Sequence, residues 1–119
     1  MEVLEIAKQI KKLINLIDVL KSNIKDRGIE KAVASADYEK VIALTIIKLR
    51  NGKEFEFKGE IISDPPVTII EKIAKGICYK EKLELEKAEA MYKSLITNLQ
   101  ATEAQLNAYQ SLNKYLDNS

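Results

Sequence analysis

Residues 85–116 read LEKAEAMYKSLITNLQATEAQLNAYQSLNKYL, and within them Leu85, Ala88, Tyr92, Leu95, Leu99, Thr102, Leu106, Tyr109, Asn113 and Leu116 recur at alternating spacings of three and four. That spacing puts one largely apolar row along a helix, and in water such a row must be covered by another. A matching row stands at the other end of the chain, where Val3, Ile6, Ile10, Leu13, Ile17, Leu20 and Ile24 repeat the pattern. Two ladders of similar length joined by a polar connector predict a mainly α fold. The expected architecture is a long antiparallel helical hairpin, coiled-coil-like, with a short β-ribbon or extended connector, assembling into a helical-bundle oligomer.

The boundaries follow from local signals. A first helix is expected over 2–49, with Arg27-Gly28 a place for a kink or short break, because glycine inside a helix costs roughly 1 kcal/mol against alanine. The run Val41, Ile42, Leu44, Ile46, Ile47 and Leu49 has two readings. Its β-branched content and the following Asn51-Gly52 suit a hairpin strand, whereas Tyr38, Val41, Ile42, Thr45 and Leu49 suit one face of a helix ended by Gly52. The strong helix former Ala32–Ala36 leading into it, and the outer side shared by Asp37, Lys40 and Lys48, favour the helix.

The connector, 50–67, changes character. Glu54 to Phe57 alternate polar and aromatic, Lys58-Gly59 suits a turn, and Glu60 to Ile62 can pair back as a small ribbon leaning Phe55 and Phe57 on the helices. Pro65-Pro66 forbids further pairing. Thr68 with Glu71 has the form of a capping box, opening a helix over 68–117 of roughly 75 Å at 1.5 Å per residue. Gly76 is its one weak point, a bend, a close crossing or nothing. The whole reads as a single domain, and because two rods bury less surface than a globule of equal mass, oligomerisation is the expected remedy.

Composition excludes several classes of function. The 119 residues hold 19 basic and 18 acidic side chains, so no strong field for nucleic acid is expected. Histidine is absent and Cys78 is the single cysteine, which removes ordinary zinc sites, Ser/His/Asp and Cys/His triads, and any internal disulfide. No Gly-rich phosphate loop is present. An enzyme, a metal site and a cofactor are therefore not expected. Glu2, Glu5, Lys8, Lys11 and Lys12 interrupt the apolar N-terminal stretch, so neither a signal peptide nor a membrane span is read there, and a cytoplasmic location is the expectation.

Candidate surfaces lie in two places. From Ser94 to Gln110 the only ionisable charge is Glu103, and low charge on several faces suits contact on more than one side, as in a bundle made from two hairpins. Leu95, Leu99, Thr102, Leu106, Tyr109, Asn113 and Leu116 are the expected oligomer interface. Asn113 in this row fixes register if it meets a polar partner, or is solvated near the helix end. The hydroxyl of Thr102 can bond back to its own helix. Around the connector, Arg50, Lys53, Lys72, Lys75, Tyr79 and Lys80 are candidates for holding a phosphate and stacking a base, against the plainer reading of a solvated basic rim. Glu81, Glu84, Glu86 and Glu89 read as exposed partners of Lys80, Lys82 and Lys87, and Cys78 as a packing residue.

From Pro65 onward, Ile73-Ala74-Lys75-Gly76, Ala88-Glu89 with Tyr92-Lys93, and Leu106-Asn107 with Gln110-Ser111 resemble small uncharacterised helical proteins encoded by bacteriophages and prophages of Gram-positive bacteria. The resemblance covers about half the chain. It implies a phage gene product in a bacterial cell, and with it a self-associating binding protein that blocks a host-defence protein or sequesters a nucleotide signal. The alternatives are an accessory factor for phage DNA replication or recombination, and a scaffolding coiled coil of the virion.

Overall fold

The structure is a computed structural model and describes residues 2–118. It is mainly helical, with one small antiparallel sheet. Helix α1 runs from Val3 to Arg50, 48 residues without interruption. Residues 41–49 are therefore helical, and the break considered at 27–28 does not occur. Gly28 has a different purpose: a Cβ built there would stand 3.3 Å from Cε2 of Tyr92, so the missing side chain lets an aromatic ring lie against the backbone of α1. Gly28→Leu is expected to cost about 1–3 kcal/mol by overpacking, read from urea denaturation.

Helix α1 ends as its sequence dictates. Gly52 takes φ +77°, its N–H donates to Leu49 O at 3.2 Å, and the Lys53 N–H donates to Lys48 O at 3.0 Å. This is the Schellman arrangement, in which a left-handed residue after the last turn satisfies otherwise unpaired carbonyls. Strands β1 (Phe55–Phe57) and β2 (Glu60–Ile62) then pair antiparallel, Phe55 opposite Ile62 and Phe57 opposite Glu60. Lys58 and Gly59 join them with φ of 50° and 83°, the left-handed pair that matches the twist of a two-residue hairpin.

After Pro66 the chain departs from the single helix expected over 68–117. Val67–Ile69 form a 3-10 turn, α2 covers Ile70–Ile77, and α3 covers Tyr79–Asp117. Neither the 3-10 turn nor α2 starts on a side-chain cap, so the Thr68–Glu71 capping box is not formed: the N-cap of α2 is Ile69, and Thr68 lies one residue before it, inside the 3-10 turn. The interruption falls at Cys78 (φ −89°, ψ 25°). Gly76 lies inside α2, with nothing within 4 Å of where its Cβ would be. Gly76→Ala is accordingly expected to stabilise the protein by roughly 0.5–1 kcal/mol, seen as a raised melting temperature.

The chain divides into two compact units, one formed by residues up to Ile29 with those from Ala90 onward, the other by Glu30–Glu89. In the first, Ile6, Leu13, Ile17 and Leu20 of α1 are buried, as is Thr102 of α3. This unit holds only those two helical segments, so their apolar rows cover each other. Full burial of each such aliphatic side chain contributes on the order of 1.5–3 kcal/mol.

In the second unit Leu49, Ile70 and Ala74 form the centre, with Ile46, Phe55, Ile62, Ile73 and Ile77 packed round it. Phe55 thereby fastens the ribbon to the helices, which a two-stranded sheet requires. Tyr38 lies under the Lys82 ammonium at 5.3 Å and Thr45 meets Cys78 at 3.4 Å. As residue number rises along α1 the partner's number falls, so the facing segments run antiparallel within this unit. Exposed ion pairs on the outer surface, Lys82–Glu86 and Lys87–Glu84 at 3.9 and 3.8 Å, add little stability.

Candidate functional site

The six connector residues singled out from sequence all belong to the second unit, but they are distributed among separate surroundings. Arg50, the last residue of α1, lines an open concavity of about 510 Å³ together with Leu49, Asp64, Pro65, Val67 and Ile70. Its floor is apolar, because Leu49 and Ile70 are buried, and its ionisable groups are one guanidinium and one carboxylate. Asp64 holds φ 42°, and its Oδ1 would stand 3.1 Å from a Cβ at Gly52, so the loop before the two prolines lies close to the end of α1.

Lys80 lines a different hollow, of about 210 Å³, with Ala34, Asp37, Glu81 and Glu84. Three acidic residues and one lysine line it, a balance that disfavours an anion. Lys75 is paired with Glu71 at 3.4 Å on the surface of α2. The backbone N–H of Lys53 is spent on the cap of α1, and both Lys53 and Lys72 are exposed.

Tyr79 shows most clearly what sequence reasoning missed. Its ring is covered by the Lys58 ammonium at 5.1 Å from the centroid, and Phe57 meets it edge to face at 5.9 Å and 67°. A cation over an aromatic face is attractive in its own right. The face proposed for stacking a base is thus engaged by the ribbon's own turn residue. Lys58-Gly59 signalled a turn in the sequence, but nothing in the local pattern indicated where the lysine side chain would reach.

Cys78 is buried and lies 3.4 Å from Thr45 Oγ1. The Thr45 hydroxyl donates to Val41 O at 2.8 Å, which leaves its oxygen to accept from the Cys78 thiol. The cysteine packs at the junction of α2 and α3. Among the described residues no group of three or more His, Cys, Asp or Glu side chains is placed to hold a metal ion, and no helix is long and apolar enough to cross a membrane.

The second candidate surface belongs to the first unit. Of the residues named as an oligomer interface, Thr102 is buried and Leu95, Leu99, Leu106, Tyr109, Asn113 and Leu116 are half-buried within the chain itself. The Thr102 hydroxyl donates to Asn98 O at 2.8 Å, so a polar group in the covered row is satisfied by its own helix. Leu95 also borders a shallow hollow with Arg27, Ala90, Met91 and Ser94, where Arg27 Nη1 approaches Met91 Sδ at 3.7 Å.

The opposite side of α3 is the part left uncovered. Thr97, Ala101, Ala104 and Ala108 are exposed there, followed by Leu112 and by Tyr115, whose relative exposure is 73%. No charged residue occurs among positions 94–110 except Glu103. The chain matches no protein-family model, no curated protein and no solved structure.

Proposed function

We propose that this chain is a non-enzymatic, phage-type binding protein that self-associates and occupies a host component, most directly a protein of host defence. The observation that carries this reading is the uncovered side of α3. A solvated helix face ordinarily carries charge, whereas here Thr97, Ala101, Ala104 and Ala108 stand exposed in a segment whose single charge is Glu103. Depletion of charge is the compositional mark of the centre of a protein–protein interface. The connector supports this choice over a nucleotide pocket, because Arg50 and Lys80 line different hollows and Lys58 covers Tyr79.

The reading is tested by expressing the chain in bacteria that carry defined defence systems and counting plaques of a restricted phage. The expected result is restored plating with the wild-type chain and loss of that restoration with Ala101→Glu and Ala108→Glu, both at exposed positions. Restoration unaffected by these charges would contradict the assignment of the surface. Absence of restoration against every system would contradict defence antagonism. A thermal shift with a panel of cyclic nucleotides separates the other mode, since a ligand that binds only the folded state raises the melting temperature.

A further inference from the structure

The hollow beside the end of α1 lies wholly within the second unit and carries two unlike poles. Its floor is Leu49 and Ile70, 2% and 3% exposed, and Pro65 and Val67 complete an aliphatic lining with no aromatic ring and no amide side chain. Arg50 and Asp64, both exposed, are its only charged groups. Among the described residues neither forms an ion pair, with the other or with any third side chain. At about 510 Å³ the hollow falls in the range of small-molecule sites, roughly 300–1,000 Å³.

The placement of Asp64 is costly on local grounds. Its φ of 42° is a left-handed backbone that asparagine adopts as readily, so the turn does not require a charge. Its Oδ1 lies beside Gly52, two residues past the end of α1, where the helix's own partial charge is negative and a carboxylate is disfavoured. Arg50, by contrast, is a basic residue in the last turn of its helix, where a cation is favoured. An uncancelled carboxylate at the negative end of a helix makes a pole for a cation, and the guanidinium on the same hollow makes a pole for an anion. Because the carboxylate stands next to a residue only two positions from Arg50, one small molecule can reach both.

The two charges sum to zero. A ligand bearing both signs therefore suits the hollow better than a phosphate or a polyamine, and the aliphatic floor suits an aliphatic body. We propose that this hollow binds a free α-amino acid with a branched aliphatic side chain. Its ammonium sits on Asp64, its carboxylate on Arg50 and its side chain against Leu49 and Ile70. The site belongs to the second unit and is independent of the α3 surface, which belongs to the first.

Titration of the isotopically labelled full chain with L-leucine, followed by backbone amide shifts in NMR spectra, tests the proposal. Glycine, isocaproate and isoamylamine run beside it, lacking in turn the side chain, the ammonium and the carboxylate. Asp64→Asn and Arg50→Gln remove one pole each. Asparagine accepts the left-handed backbone and glutamine forms helix about as well as arginine, so circular dichroism should report unchanged helicity.

The expected result is saturable shifts at Gly52, Asp64 and Val67 with L-leucine, and an affinity lower by about threefold or more in each variant and for isocaproate and isoamylamine. Glycine is expected to bind about tenfold or more weakly, having no side chain to cover the floor. No saturable shift with L-leucine would overturn the site. Isocaproate binding as tightly as leucine would overturn the role of Asp64, and isoamylamine doing so would overturn that of Arg50. Glycine binding as tightly as leucine would overturn the aliphatic subsite. Leucine affinity unchanged in both variants would overturn the placement of the ligand in this hollow.

Discussion

Leu49→Ala is expected to lower the free energy of unfolding by about 2–5 kcal/mol, the range for emptying a well-packed aliphatic site. Leu49 keeps only 2% of its surface exposed and packs with Ile70 and Ala74 in the last turn of α1. Its removal leaves a void that the neighbouring segments cannot easily fill. The glycine cap directly after α1 holds its end in place, and Asp64 of the adjacent loop lies close to Gly52. Urea denaturation followed by circular dichroism measures the loss. A change below about 1 kcal/mol would mean that this cluster is not the centre of its unit.

The other large effect is expected from a charge placed in the covered row of the first unit. Ile17 is 8% exposed, in line with Ile6, Leu13 and Leu20. Ile17→Asp gives up the burial of an aliphatic side chain and sets a carboxylate against the apolar row of α3 with no cation assigned to it, for an expected loss of more than about 3 kcal/mol. Val19, two positions along the same helix, is 54% exposed. Val19→Asp is expected to change stability by less than about 0.5 kcal/mol. Equal effects at the two positions would show that the helix does not present the face described.

Helix content and the course of the ladders were legible because they rest on local periodicity. The stop at Gly52, the left-handed turn at Lys58-Gly59 and the back-bonded Thr102 were legible for the same reason, each being decided by neighbours within a few residues. What escaped was decided at long range. Gly28 looks like a helix breaker until Tyr92, far along the chain, is placed beside it. The interruption at Cys78 falls two positions after Gly76, the weak point read in the sequence, and its place was the part not given by local pattern. The Thr68–Glu71 pair satisfies a capping pattern, yet Val67–Ile69 continue from Pro66 as a 3-10 turn and put Ile69, one residue past Thr68, at the N-cap of α2.

The candidate surfaces follow the same division. A basic rim near the connector could be read from residue types, but the distribution of Arg50, Lys80 and Tyr79 among three surroundings depends on tertiary packing, and for Tyr79 on how the ribbon folds back.

Light scattering coupled to size-exclusion chromatography, on the purified full chain at micromolar concentration, bears most directly on self-association. A mass of twice the 13.5 kDa of one chain, or a higher multiple, is expected. A mass of a single chain throughout the accessible concentration range would contradict it.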